Sequence, residues 1–280
     1  MAHDSPDTRP RRRIRPTRRG RLLLLIGAVL VLGVAAAVLV PLLTREPKTA
    51  EQGRSLTIPE GWRASQVYVA ADKALGEPAG TTENAVPTAN LPLPAEAKGN
   101  PEGYLFPATY PITSDTTPKS LLRYMVDTAV SRFGADHITA GAERNDVTVY
   151  QTVTIAAIVQ AEADTDSDMA KVARVIHNRL DRGMPLQMDS TLNYALNRST
   201  LDTTTGDTKI DSPYNSYERK GLPPTPIGNP GEQAMAAAIS PTPGPWLYFV
   251  TVAPGDTRFT DDYAEQQRNV AEFNRNRREG

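Results

Sequence analysis

The chain has 280 residues, a net charge of −1 and no cysteine. A fold stabilised by disulfides is therefore excluded, and the three histidines leave little for a metal site. A hydrophobic fraction of 39% is sufficient for one or two packed domains. We expect a globular part that depends on its core alone and uses neither a metal ion nor another cofactor.

The small net charge conceals a strongly basic N-terminus. Residues 1–21 contain eight arginines and two aspartates, a charge of +6, so the remainder of the chain carries −7. A basic arm of this kind can bind nucleic acid. The next segment argues against that function, because residues 22–43 contain no charged side chain.

Residues 22–43, LLLLIGAVLVLGVAAAVLVPLL, predict a single transmembrane helix. A helix of this length extends for about 30 Å, the thickness of a bilayer core. The arginines before it favour a cytoplasmic N-terminus, which puts the rest of the chain outside the membrane. A cleaved signal peptide is the alternative, but the segment is long for one and no small-residue cleavage site follows it.

Composition divides the chain into four parts. A basic cytoplasmic tail (1–21) and the transmembrane helix (22–43) come first. A tether, a small strand–helix segment and a proline-rich loop follow (44–101). The remainder (102–280) mixes helical and strand patterns without a regular βαβ rhythm, which predicts an α+β domain.

The first predicted elements after the tether are a strand at 56–58 and a helix at 64–75 that ends at Gly76. Residues 77–101 are rich in Pro, Ala and Thr and are predicted to be an exposed loop. The segment 117–134 then predicts a helix with one buried face. Its apolar side chains recur every three or four positions at Leu121, Leu122, Met125, Val126, Ala129 and Phe133.

In the second half, Thr148 is the predicted cap of a helix that runs through Glu162. The next helix should begin at Asp166 or Ser167 and end at Gly183. An extended segment then turns into a short helix, and a long irregular segment with five prolines occupies 211–231. An alanine-rich helix, a buried strand (WLYFVTV) and a charged amphipathic helix complete the chain.

Three aspartates, Asp164, Asp166 and Asp168, resemble the first half of a calcium-binding loop. The positions that require glycine and glutamate are occupied by Met169 and Val175, so a calcium site is excluded. We interpret Asp166 and Asp168 as acidic residues that stabilise the N-terminus of the following helix.

Glu162 is a candidate general acid. It ends the apolar run VTIAAIVQAEA, and apolar surroundings and nearby carboxylates both raise the pKa of a glutamate. A raised pKa suits a general acid near neutral pH. The alternative is a solvated helix end.

The irregular segment 211–231 supports a binding function. Proline-rich backbone of this length is uncommon in a compact domain unless it binds something. Its tyrosine and asparagine side chains offer stacking faces and amide donors that suit a sugar. The alternative is a rigid surface loop.

Several blocks in the same order, between residues 56 and 273, resemble the endolytic murein transglycosylase (YceG-like) family. They are TIPEG, EGYLFPATY, IAAIVQAEA, VARVIHNRLDRGMPLQMDST, SPYNSY, GLPPTPIGNPG and WLYFV. The resemblance implies a YceG-like catalytic domain at 102–280, anchored in the cell membrane by one helix. It implies cleavage of the bond between N-acetylmuramic acid and N-acetylglucosamine within peptidoglycan strands, leaving 1,6-anhydro ends without a cofactor.

The resemblance also implies the site residues. Glu162 takes the catalytic role, because the first glutamate of the family's I-V-E-x-E pattern is Gln160 here. Cleft positions that match the family and would bind substrate are Gln187, Asp189, Tyr214, Asn215 and Tyr217.

Two alternatives stay open at this point. Asp189 as a second carboxylate would allow hydrolysis instead. A non-catalytic membrane scaffold would bind glycan strands and recruit penicillin-binding proteins. Thr257 and Gln266, which stand where family members often carry histidines, give the scaffold some support.

Overall fold

A computed structural model describes residues 54–199 and 203–279. Strand β1 (Arg54–Thr57) pairs antiparallel with β2 (Thr109–Ile112), so Leu56 lies opposite Tyr110, and both side chains are buried. The pairing brings the segment before residue 101 into contact with the segment after it. The chain beyond residue 52 accordingly forms one compact unit.

The second strand pair lies near the C-terminus and consists of β3 (Tyr248–Ala253) and β4 (Asp256–Thr260). The helices of the described residues are α1 (Ala64–Leu75), α2 (Thr81–Ala85), α3 (Pro118–Phe133), α4 (Asp136–Arg144), α5 (Val149–Glu162), α6 (Asp166–Asp181), α7 (Asp189–Ala195), α8 (Glu232–Ile239) and α9 (Tyr263–Glu279). Helix α9 packs on the β3–β4 pair. This mixture of helices and small antiparallel sheets confirms the predicted α+β class.

Helix α5 is the centre of the core. Its residues from Thr152 to Val159 are all buried, and it packs against α4, α6, α7 and α8. The predicted cap is confirmed, because the Gln151 N–H donates to Thr148 Oγ1 at 3.1 Å. A helix that is buried on all sides requires neighbours on all sides. The buried stretch ends at Val159, and Glu162, the last residue of the helix, lies where α5 leaves the core.

Two amphipathic helices agree closely with their sequence patterns. Helix α1 ends at Gly76, whose φ of +75° is the left-handed conformation typical of a helix C-terminus. Helix α3 buries all six side chains of the predicted apolar face: Leu121, Leu122, Met125, Val126, Ala129 and Phe133.

The prediction of an exposed loop at 77–101 is wrong in part. The segment contains α2 and two 3₁₀ turns, and Thr82 is fully buried. The Thr82 N–H and hydroxyl both donate to Asp72 Oδ1, at 2.8 and 2.6 Å. Polar side chains can be buried when each finds a hydrogen-bond partner, so a polar composition alone does not indicate exposure.

The predicted buried strand WLYFVTV also needs correction. The strand begins later, at Tyr248, and within β3 only Val252 is buried. Within the described residues, β3 pairs with β4 alone, in a two-stranded sheet. A strand with one sheet neighbour keeps much of its surface accessible.

The predicted basic tail and transmembrane helix lie outside the described residues. Among the residues that are described, no helix combines the length and apolar character needed to cross a bilayer.

Candidate active site

Glu162 lies at the C-terminal end of α5 as a half-buried residue whose carboxyl is shielded from solvent. The Ser190 N–H, in the first turn of α7, donates to Glu162 Oε1 at 3.2 Å. The Ser190 hydroxyl lies near the same carboxyl, although its oxygen is buried without a hydrogen bond of regular geometry. Glu162 is thus held by the backbone of a second helix.

Burial is the main cause that raises the pKa of Glu162, and the charge of Asp189 raises it further. The two Ser190 groups oppose this shift because they stabilise the ionised form. The C-terminus of α5 carries partial negative charge, which also disfavours a carboxylate there. The net effect is a raised pKa for Glu162, which is the direction that suits a general acid.

The neighbouring carboxylate is not the one expected. Asp189 of α7 affects Glu162, whereas the sequence suggested the aspartates that follow Glu162 in the chain. Asp166 and Asp168 lie in the first turn of α6, where the Asp168 N–H donates to Thr165 Oγ1 at 3.2 Å. Their interpretation as residues of a helix N-terminus is confirmed.

Asp189 and Tyr217 form the second part of the site. The Tyr217 hydroxyl donates to Asp189 Oδ1 at 2.5 Å. Burial, followed by this hydrogen bond, raises the pKa of Tyr217, and the charge of Glu162 acts in the same direction. Glu162, Asp189 and Tyr217, all chosen from the sequence, therefore lie near one another.

Gln187 borders this site, but not as a strand residue. Its φ is +54° and α7 begins two residues later, so the predicted alternation that would align Gln187 with Asp189 does not apply. Gln187 Oε1 accepts a hydrogen bond from Arg179 Nη1 at 3.0 Å. Arg179, only 5% exposed, also donates to the carbonyls of Pro185 and Leu186 and so fixes the backbone that enters α7.

Tyr214, in the segment 211–231, lies beside the C-terminal end of α7 and away from the group around Glu162. Its hydroxyl is 2.8 Å from Thr225 Oγ1, and its ring centroid is 4.9 Å from that of Tyr194. The first contact joins two parts of the segment 211–231, and the second joins that segment to α7. Tyr214 is half-buried and keeps some accessible surface.

Asn215 has a different position from the one its predicted role requires. It is fully buried, and its Nδ2 donates to the carbonyls of Thr208 and Ile210 at 3.1 and 2.9 Å. Its Oδ1 accepts from the Tyr217 N–H at 3.0 Å. In this arrangement Asn215 shapes the segment that carries Tyr217 and does not face a ligand.

The long segment 211–231 is held near both of its ends. The Gln187 N–H donates to the Ser216 carbonyl at 2.9 Å. Near the other end, Asn229 is fully buried and its Oδ1 accepts from the Leu105 N–H at 2.7 Å. The irregular backbone is therefore built into the fold at fixed points, unlike a free surface loop.

A family model described as the YceG-like family matches residues 32–272. The chain belongs to the YceG-like family. The resemblance drawn from the sequence blocks is confirmed by this match.

Two curated relatives of this YceG-like protein carry the name endolytic murein transglycosylase. The one from Bacillus subtilis (strain 168) is 36% identical over 168 residues, which is 60% of this chain and 46% of the relative. The one from Streptococcus pneumoniae serotype 2 (strain D39) is 37% identical over 177 residues, 61% of this chain and 32% of the relative. The matched region thus spans less than half of either relative.

A solved structure supports the fold. The 2.6 Å crystal structure of a yceG-like protein from Listeria monocytogenes superposes with a TM-score of 0.66 at 27% identity. The comparison covers 76% of this chain and 74% of that one.

Glu102 of this YceG-like protein is a buried carboxyl that was not predicted from the sequence. Only 4% exposed, Glu102 accepts hydrogen bonds from the Ala64 N–H (3.0 Å) and the Tyr194 hydroxyl (2.9 Å). Burial raises its pKa to about 7. The available signal was an acidic residue between Pro101 and Gly103 at the start of an apolar, aromatic stretch.

Glu102→Gln should reduce the pH dependence of stability. The pKa of Glu102 rises from an ordinary 4.5 to about 7 on folding, so between these values the folded state binds more protons than the unfolded state. The free energy of unfolding therefore falls as pH rises through this window, by about 3 kcal/mol for this group. Glu162 adds a fall of the same sign in both proteins and cancels in their comparison.

The measurement is denaturant unfolding of both proteins at about pH 4 and pH 8, on either side of the window. The loss of stability between the two pH values should be about 3 kcal/mol smaller in the variant. Equal losses in the two proteins would contradict the assignment of Glu102.

Two cavities are found among the described residues. One, of about 540 Å³, is lined by the start of α1, residues 99–102 and the end of α7. The other, of about 640 Å³, lies between the start of α5, His177 of α6 and residues 221–224. Glu162 lines neither, but α7 connects its surroundings to the first. No cluster of described His, Asp or Glu side chains is arranged to hold a metal ion.

Proposed function

We propose that this protein is an endolytic murein transglycosylase with Glu162 as its catalytic acid. It would cleave the bond between N-acetylmuramic acid and N-acetylglucosamine inside glycan strands. The observation that carries the proposal is the Glu162 carboxyl, which has a raised pKa and one oxygen held by the Ser190 N–H. Membership of the YceG-like family and the names of the two curated relatives support it.

In the proposed first step, protonated Glu162 donates its proton to the glycosidic oxygen. The bond from C1 of the muramic acid to that oxygen breaks, and C1 gains oxocarbenium character. The 6-hydroxyl of the same sugar then attacks C1, and its proton passes to the Glu162 carboxylate. The product is a 1,6-anhydro ring, and Glu162 is protonated again for the next turnover.

A single carboxyl suffices for this reaction, because no water molecule needs activation. Hydrolysis would require a second carboxylate as nucleophile or base. Asp189 is the candidate for that role, but its Oδ1 already accepts the short hydrogen bond from Tyr217. We assign Asp189 a supporting role in which it binds Tyr217 and its charge helps to raise the pKa of Glu162.

Asp189→Asn should lower activity by about tenfold or less and leave the product unchanged. The asparagine Oδ1 can still accept from Tyr217, and replacing a charged by a neutral acceptor costs roughly 1 kcal/mol. Losing the negative charge should also lower the pKa of Glu162. Cleavage rates measured across pH should therefore begin to fall at a lower pH than in the wild type. A loss beyond about a thousandfold would instead support Asp189 as an essential base.

We also propose a membrane anchor at 22–43 with the domain outside the cytoplasm. The apolar length and the preceding arginines support it, and the family match begins at residue 32, inside this segment. Penicillin-binding proteins remain a proposed partner at that location. Protease added to spheroplasts should digest the chain beyond residue 45, and a soluble shortened product would contradict the anchor.

A further inference from the structure

The cavity beside α7 has the size of a binding site, and several polar side chains stand in its largely apolar lining. Its volume of about 540 Å³ is within the usual range for ligand sites. Its charged and amide-bearing side chains come from α1, α2, the turn before Glu102 and the end of α7: Arg63, Glu83, Asn100, Glu102 and Asn197. The group around Glu162 and the function proposed above do not use this cavity.

Glu102 supplies a fixed acceptor in the cavity. Its two oxygens are held by the Ala64 N–H and the Tyr194 hydroxyl, which come from different helices. In its ionised form Glu102 has about four lone-pair sites. The Ala64 N–H and the Tyr194 hydroxyl use two of them and the Gly103 N–H also stabilises the charge, which leaves a site for a further donor. Because Glu102 is buried and held on both sides, it presents that acceptor in one orientation.

Arg63 supplies donors to the same cavity. Its guanidinium carbon lies 5.2 Å from the Tyr194 ring centroid, and Nη2 donates to the Arg198 carbonyl at 2.7 Å. Nη1 makes a longer hydrogen bond, 3.5 Å, to Asn197 Oδ1. A guanidinium has five N–H groups, and the others make no hydrogen bond to a described residue.

Arg63 and Glu102 line one cavity and attract each other electrostatically. A donor and an acceptor on the wall of the same cavity match a secondary amide. The amide carbonyl accepts from a guanidinium N–H, and the amide N–H donates to a carboxylate. A glycan strand with peptide stems carries such groups as the acetamido substituents of its sugars and as the peptide bonds of its stems. A hexose hydroxyl alone would not need the cation.

Helix α7 sets the distance between this cavity and the proposed acid. Ser190 bonds to Glu162, and Tyr194, four residues later on the same helix, bonds to Glu102. Four residues of α-helix advance by about 6 Å. This offset along the helix axis is comparable with the length of one sugar unit, which suits a single strand that contacts both ends of α7.

We infer that the cavity lined by Arg63 and Glu102 binds a secondary amide of the glycan strand, one unit away from the bond that is cut. Arg63 binds the amide carbonyl and Glu102 the amide N–H. The inference rests on the proposed function, because it takes the glycan strand as the ligand.

Binding is measured by calorimetry in a Glu162→Gln background, which separates binding from cleavage. The probes are an N-acetylglucosamine oligomer, its deacetylated counterpart of equal length, and glycan strands with and without their stem peptides. Added variants are Arg63→Gln and Glu102→Gln, and Arg132→Gln is the control because Arg132 does not line the cavity. Thermal unfolding of each variant checks the fold. Arg63 is partly exposed, so its variant keeps the test valid if Glu102→Gln fails to fold.

Arg63→Gln should weaken binding of an amide-bearing probe by about tenfold or more, as expected for a charge-assisted hydrogen bond, and Arg132→Gln should not. An effect on the acetylated oligomer assigns the amide to the sugar, whereas an effect only on strands with stems assigns it to the peptide. Unchanged affinity for every probe in the folded Arg63→Gln variant would overturn the inference, as would an equal effect on the deacetylated oligomer.

The two proposals can fail separately. If the cavity has no role, the wild type still cleaves strands and only the binding results are negative. If the proposed function is wrong, the wild type does not cleave strands, yet binding to the cavity still depends on Arg63.

Discussion

Glu162→Gln is expected to reduce cleavage of glycan strands by at least about a hundredfold, since general acid catalysis contributes 10²–10⁴-fold. Glutamine has the size of glutamate, and its amide oxygen can still accept from the Ser190 N–H, so the fold and glycan binding should persist. It cannot donate the proton that the glycosidic oxygen requires. The measurement is the rate at which strands are shortened, with unfolding and strand binding followed in parallel.

A matched control is Glu218→Gln, which makes the same chemical change at an exposed glutamate of the segment 211–231. It should retain the wild-type rate. Residual activity of Glu162→Gln above about a hundredth of the wild type would argue against Glu162 as the sole acid.

Gly103→Ala is expected to cause the largest loss of stability among the single changes considered. Gly103 has a φ of +83°, and an added Cβ would lie 2.5 Å from the Cβ and Cγ of Pro226 and 3.2 Å from Val153 Cγ1. Neither the proline ring nor the core helix can move away freely. Overpacking and the strained backbone together should lower the free energy of unfolding by about 3 kcal/mol.

Gly99→Ala separates the two causes. Gly99 has nearly the same φ, +82°, but an added Cβ there meets nothing within 4 Å. It should cost only about 1 kcal/mol, the cost of the backbone conformation alone. Denaturant unfolding of both variants gives the comparison. Equal losses at the two positions would contradict the close approach of Pro226 to Gly103.

The helices were predictable from the sequence where local signals agree. Helix α3 has a continuous apolar stripe, and α5 has both a Thr148 cap and an apolar run that ends at Glu162. The segment 77–101 was not predictable, because the burial of Thr82 depends on Asp72, a partner on another helix. Composition reports polarity but not whether a polar group is paired.

The site was also predictable only in part. The sequence blocks identified Glu162, Asp189 and Tyr217, which the fold brings together. Gln160, which replaces the family's first glutamate, has a contact of its own: its Oε1 accepts from the Gly231 N–H at 2.9 Å. Glu102 was missed because Tyr194, whose hydroxyl donates to it, is distant along the chain.

The positions that raised doubt about catalysis have structural contacts elsewhere. Thr257 Oγ1 lies 3.0 Å from Thr251 Oγ1 across the β3–β4 pair, and Gln266 Nε2 donates to the Phe249 carbonyl. These side chains join β3 to β4 and to α9. Nothing in the proposed mechanism requires a histidine at either position, since Glu162 supplies both the acid and the base.

The chemistry of the new glycan ends tests the central claim most directly. Purified uncrosslinked strands are digested by the wild type in heavy-oxygen water, with Glu162→Gln as the inactive control, and the ends are identified by mass spectrometry. Attack by the 6-hydroxyl predicts 1,6-anhydro ends that carry no heavy oxygen. Reducing ends labelled with heavy oxygen would contradict the single-acid mechanism, and the absence of any new ends would contradict the proposed activity.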